Sequence, residues 1–209
     1  MNTRRNLLVG LGAAALGVVA WRTGSDTRRL EAQPAGADTT GASYFPNITL
    51  YTHEGKPVKV YDDLIRGKVV AFNMMYTLCG GFCPTMTANL RGVQKLLGER
   101  AGRDVFMYSI SLQPELDTPQ ILKAYAEQHH VGPGWSFLTG APADIELLRR
   151  RLGFYDVDPL VDGNKASHTG MVRIGNDRNN RWTMAAARSV PEQIFAAINH
   201  VDNSVVHTA

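Results

Sequence analysis

Residues 69 to 76, Val69-Val70-Ala71-Phe72-Asn73-Met74-Met75-Tyr76, form an almost unbroken apolar run. A strand with one wet face alternates apolar and polar residues, whereas a run of this kind predicts a strand covered on both faces, as in a parallel sheet between helices. That requirement points to an α/β fold and makes Asn73 the one position in the run that needs polar partners. The run leads into Thr77-Leu78-Cys79-Gly80-Gly81-Phe82-Cys83-Pro84, which holds the only two cysteines of the 209 residues.

The pattern on either side agrees with alternating strands and helices. Residues 45–52 and 57–61 read as a hairpin turning at Gly55, where glycine supplies the positive φ. Pro84 suits the first turn of a helix reaching Leu97, with Met86, Leu90, Val93 and Leu97 on one stripe. Strands are expected at 105–112 and 135–138, and helices at 118–129, behind an Asp117-Thr118-Pro119 cap, and at 143–152. A hairpin of 169–174 and 181–184 and a closing helix over 190–201 complete the chain, with a long polar loop over 156–165.

The N-terminus reads separately. Arg4 and Arg5 precede an uncharged Gly- and Ala-rich stretch from Leu7 to Trp21. As a helix, that stretch is about 22 Å long, short of the roughly 30 Å of a bilayer core. Residues 1–21 are therefore expected to act as an export signal of twin-arginine character, with a small-residue cleavage site at Ala35-Gly36-Ala37, or as an uncleaved anchor with Trp21 at the interface. Residues 22–43 read as a flexible linker and 44–209 as one domain. Arg4, Arg5, Arg22, Arg28 and Arg29 against Asp26 and Glu31 account for the whole net charge of +3, so the domain is neutral and has no footprint for nucleic acid. Either reading of the N-terminus puts the domain in the periplasm or on the extracytoplasmic face of the membrane, where disulfides are permitted.

A disulfide between Cys79 and Cys83 would close so short a loop that its stabilisation is about 2 kcal/mol at best. The pair is thus expected to carry chemistry, as a redox dithiol or as a soft-metal site on two thiolates. Two thiols at the junction of a buried strand and a helix N-terminus form the thioredoxin arrangement, here with three residues between the cysteines instead of two. Helix dipole and free amides favour thiolate, which serves both disulfide attack and metal binding. Among the histidines, His168 is the best third ligand, since it follows the polar loop and precedes a strand. His129 and His130 end a helix, His53 sits in a turn, and His200 and His207 lie near the C-terminus. Met74, Met75 and Met86 are expected to pack in the core.

The segments Tyr76-Thr77-x-Cys79-x-x-x-Cys83-Pro84-Thr85, Ser111-x-x-Pro114-Glu115-x-Asp117-Thr118-Pro119, Gly153-x-Tyr155 and His168 together resemble the Sco/SenC family over residues 45–201. The resemblance implies a thioredoxin-like mixed sheet flanked by helices, with an N-terminal β-hairpin extension. It implies a copper metallochaperone that binds Cu(I) or Cu(II) through Cys79, Cys83 and His168 and delivers it to the binuclear copper centre of cytochrome c oxidase or a similar cuproprotein. The implied partners are a copper acceptor such as an oxidase subunit, a thiol-redox partner, and the membrane if the N-terminus is uncleaved. The alternative is a thiol-disulfide oxidoreductase that reduces the acceptor's cysteines, with Cys79 and Cys83 as its dithiol. A peroxidase of the same fold is disfavoured, because Phe72 stands where its motif needs proline. Gln113 and Ser167 stand where the family often has aspartate, and Gly80-Gly81 predicts a loose loop that favours release of copper over tight retention.

Overall fold

The computed structural model describes residues 41–168 and 170–202. Among them, strands β1 (Thr49–Thr52), β2 (Pro57–Lys59), β3 (Val69–Met75), β4 (Val105–Ser111), β5 (Trp135–Thr139), β6 (Met171–Asn176) and β7 (Arg181–Ala186) form one sheet in the order β2-β1-β5-β4-β3-β6-β7. The helices are α1 (Gly41–Tyr44), α2 (Phe82–Leu97), α3 (Pro119–Gln128), α4 (Pro142–Arg151), α5 (Pro159–Asp162) and α6 (Pro191–Val201).

All seven residues of β3 are buried, as the apolar run predicts. Its odd positions Val69, Ala71 and Met75 face a core built with Met86, Leu90 and Val93 of α2, Leu122 and Tyr125 of α3, and Ile194 and Ile198 of α6. Its even positions Val70, Phe72 and Met74 face a second core with Leu50, Ile65, and Ile145 and Leu148 of α4. Asn73 finds its partners inside: it accepts from Ser109 Oγ at 2.7 Å and points its amide at Met86 Sδ, 3.6 Å away, while Trp135 Nε1 donates to Ser109 Oγ at 2.9 Å. The exception in the run is therefore a satisfied core amide.

The sheet is mixed, as expected: it runs parallel through β3, β4 and β5, and β3 meets β6 antiparallel. The expected N-terminal hairpin is present, and β1 also pairs with β5 and so extends the main sheet, but the second strand is shorter than the expected 57–61. That strand stops at Lys59, and Val60–Ile65 winds into a wide helical turn. Strand alternation would send adjacent Val60 and Tyr61, and adjacent Leu64 and Ile65, to opposite faces, whereas the helical turn buries all four on one side. The segment 156–165 is likewise not featureless, since it contains α5. Residues 1–21 and most of the 22–43 linker lie outside the described residues, and no helix among those described is long and apolar enough to cross a membrane.

Gly55, at φ 78°, makes the hairpin turn as expected. Gly175 is required for another reason: a Cβ there would lie 2.0 Å from Trp182 Cε3, because the indole of β7 rests flat on the β6 backbone. Gly175→Ala is expected to cost about 1–3 kcal/mol as the ring is displaced, read as a lower urea midpoint at unchanged slope.

Candidate functional site

Cys79 lies in the turn after β3, and Cys83 in the first turn of α2. Both are free thiols, Cys79 at 8% exposure and Cys83 at 0%. The helix starts after Gly81, which has no side chain to cap it. Cys79 Sγ takes that role by accepting the Cys83 amide at 3.4 Å. Neither Gly80 nor Gly81 is held by a positive φ, and a Cβ on either would meet open space. The loop between the sulfurs is thus glycine-rich without a steric need for glycine.

The two sulfurs are electrostatically unequal. Burial pushes the Cys79 thiol up, but hydrogen bonds from the Cys83 thiol, the Cys83 and Gly81 amides and the Tyr76 hydroxyl outweigh it and bring it to about 7. Burial, and then the neighbouring Cys79 sulfur, push Cys83 up to about 12. In the metal-free, reduced protein, alkylation by iodoacetamide is expected to reach half its maximal rate near pH 7 at Cys79 and to fall below that pH as the thiol reprotonates. Cys83 should stay unmodified well into the alkaline range, and peptide mass spectrometry distinguishes the two sites. The Cys79 value lies below that of an unfolded thiol, so its contribution to stability is present above the ordinary thiol range and lost as pH falls through about 7.

Asp117, fully buried, ties the cysteine loop to the strand beside it. Its carboxylate accepts from the Thr77 amide at 3.3 Å, from the Thr77 hydroxyl, and from Ser111 Oγ at 2.5 Å. Ser111 Oγ in turn accepts from the Gln113 amide at 2.9 Å. The expected cap is therefore divided: Thr118 alone caps α3, accepting from the Ile121 amide at 3.3 Å, while Asp117 turns inward. Gln113 Oε1 is buried without a hydrogen-bond partner.

A third segment reaches the same end of the sheet. β6 runs antiparallel to β3 with Val172 opposite Asn73, so the chain enters β6 where β3 departs toward Cys79. Just before β6, Lys165–His168 forms a 3-10 turn. His168 ends that turn, and its side chain falls outside the described part of the structure. Ser167 Oγ sits 2.6 Å from the carbonyls of both Val161 and Asn164, and Lys165 Nζ pairs with Glu115 Oε1 at 3.2 Å, which connects the turn to the loop after β4. Buried Arg149 of α4 grips Asp162 of α5 with Nη1 at 2.8 Å and Nη2 at 3.0 Å, and also holds Glu146. This clamp raises the Arg149 pKa and lowers that of Asp162.

The other histidines sit elsewhere. His53 Nδ1 accepts from the Phe137 amide at 3.0 Å and so stitches the hairpin to β5, His129 packs on Tyr125 with ring centroids 4.3 Å apart, and His200 meets Arg181 at 3.2 Å. His207 lies outside the described residues. Met74, Met75 and Met86 are fully buried, in keeping with core packing. Among the described residues no group of three His, Cys, Asp or Glu could hold a metal ion. Sequence reasoning missed the inward role of Asp117 and the Arg149 clamp; the only available signal was the 146, 149, 150 spacing of Glu, Arg and Arg on one helix face.

Comparison with known proteins adds to this geometry. The family model described as SCO1/SenC matches residues 36–202. A protein named SCO1 protein homolog from Bacillus subtilis is 34% identical over 101 residues, covering 47% of this chain and 51% of that protein. The chain thus spans about half the length of that curated relative. A solved structure of Bradyrhizobium japonicum ScoI with copper bound is 26% identical with a TM-score of 0.57, covering 73% of this chain and 96% of that one. The structure of BsSco, described as having a disulfide switch and as a member of the Sco family of cytochrome c oxidase assembly proteins, is 22% identical with a TM-score of 0.61, over 76% of this chain and 94% of that one. The thioredoxin-like α/β fold expected from the sequence is the fold observed.

Proposed function

Because this chain belongs to the SCO1/SenC family, we propose that it is a copper metallochaperone in which Cys79, Cys83 and His168 hold the cargo ion. The observation that carries the reading is the convergence at one end of the sheet: two thiols at the N-terminus of α2, the Cys83 amide donating to Cys79 Sγ, with the Lys165–His168 turn leading into β6 at that same end. Two soft sulfurs and an imidazole suit Cu(I) and also accept Cu(II), whereas structural zinc favours four protein ligands. Copper arrives as substrate and leaves by ligand exchange to an acceptor with its own thiolates. A copper-bound relative supports the metal, and a Sco protein described as serving cytochrome c oxidase assembly supports an oxidase subunit as the acceptor. The Gly80-Gly81 loop, free of steric constraint, favours release. Residues 1–21 serve as export signal or anchor and the residues from 22 up to α1 at Gly41 as the tether, which puts the domain on the extracytoplasmic side.

The inequality of the sulfurs supports a second reading, a thiol-disulfide oxidoreductase. The Cys79 thiolate would attack an acceptor disulfide, releasing one acceptor thiolate and forming a mixed disulfide. Cys83, losing its proton, would then displace the second acceptor thiolate, leaving the acceptor reduced by two electrons and Cys79–Cys83 as the disulfide. A thiol-redox partner would restore the dithiol.

Anaerobic copper loading of wild type and His168→Ala, with disulfide reduction assayed in parallel, separates the two. The chaperone reading expects His168→Ala to lose copper affinity and keep its reductase activity. Unchanged copper affinity together with lost reductase activity would overturn it.

A further inference from the structure

On the other sheet face, toward the end opposite the cysteines, α1, β6 and β7 enclose a pocket of about 280 Å³ lined by Gly41, Tyr44, Phe45, Arg173, Asn180 and Trp182. Its walls are aromatic: Tyr44 meets Phe45 edge-on at 4.9 Å between centroids, and Phe45 meets Trp182 at 4.8 Å. Arg173 lies opposite Phe72 in the β6–β3 register and shares a sheet face with Gly175, so its side chain extends over the indole, the guanidinium carbon 5.5 Å from the ring centroid.

This arginine lacks what the chain's other deeply placed cations have. Arg149 and Arg100 are paired with carboxylates, and the larger cleft beside α4 contains Arg149, Arg150 and Lys165 matched to Asp162, Glu146 and Glu115. Arg173 makes no ion pair among the described residues, and its Nε is buried with no hydrogen-bond partner. Asp177, which lies against Gly41 of the pocket wall, is committed to the Gly67 amide at 2.7 Å and the Tyr61 hydroxyl at 3.5 Å. A second cation, Arg151, stands 5.9 Å from the Tyr44 ring. Burial lowers the Arg173 pKa, which marks the cost of a desolvated charge without a counter-ion.

We propose that this pocket binds an organic anion, its carboxylate or phosphate pairing with the Arg173 guanidinium and its planar apolar body packing among Tyr44, Phe45 and Trp182. The anion supplies the missing acceptor, and the aromatic walls supply area and quadrupole for a flat ligand. The site is independent of the cysteine pair and does not rest on the copper reading. A free small carboxylate and the phosphate of a lipid headgroup share this chemistry.

The test is calorimetric titration of the full chain with 2-naphthoate, with the neutral 2-naphthalenemethanol, and with monomeric dihexanoyl phosphatidic acid. Saturable one-site binding of an anion is expected, at least about tenfold tighter than the neutral alcohol and weakened by a similar factor in Arg173→Gln, with Arg173→Lys intermediate. The tighter of the two anions identifies the source as free carboxylate or lipid phosphate. Absence of saturable binding by either anion, or equal affinity for the neutral alcohol in wild type, would overturn the proposal, whether or not the Arg173 variants fold.

Discussion

Cys83→Ser is expected to reduce the copper content of the anaerobically loaded chain from one ion per chain to near zero. The serine hydroxyl is hard and remains protonated, so it cannot replace a thiolate toward Cu(I). The substitution also removes the thiol hydrogen bond that helps bring Cys79 to about 7, so the surviving sulfur loses thiolate character at neutral pH. The site should lose both ligand number and ligand quality. The fold should persist, because the change is nearly isosteric at the start of a helix whose Met86, Leu90 and Val93 remain packed. Copper analysis after gel filtration, beside far-ultraviolet circular dichroism, checks both parts.

Asp117→Ala is expected to destabilise the domain by about 3–5 kcal/mol, because two hydroxyls and an amide lose their common acceptor in a place water does not reach. The donors are the hydroxyls of Thr77 and Ser111 and the Thr77 amide, and Asp117 itself has no exposed surface. Urea denaturation measures the loss. A second consequence follows from position, since Thr77 lies two residues before Cys79: with its anchor gone, copper affinity should fall roughly 10–100-fold, the usual effect of removing a group that orients a ligand. Asp117→Asn keeps one acceptor oxygen but turns an NH2 toward existing donors, so it should fall between wild type and alanine.

Legibility in the sequence followed the range of the interactions. The apolar run at β3 announced a strand covered on both faces, and Pro84 with the Met86, Leu90, Val93 stripe announced α2, because these signals are local and periodic. What escaped depends on partners distant in sequence. Asp117 resembled a helix cap because its partners lie off the helix, Ser111 on β4 and Thr77 40 residues away. The polar stretch over 156–165 looked like a loop because α5 is a single turn, held by Arg149 from α4 rather than by its own propensity. Arg173 carries no local signal, because its setting depends on Trp182 of the neighbouring strand lying over Gly175. The cysteine pair was legible from its spacing and its place between an apolar run and a helix start, and the geometry added the inequality of the sulfurs.

X-ray absorption at the copper edge of the Cu(I)-loaded full chain, compared with His168→Ala, tests the central claim most directly. The account predicts a wild-type shell of two sulfurs and one imidazole nitrogen, with the nitrogen and its outer-ring scattering lost in the variant. A wild-type spectrum without imidazole scattering, or one that His168→Ala leaves unchanged, would contradict it.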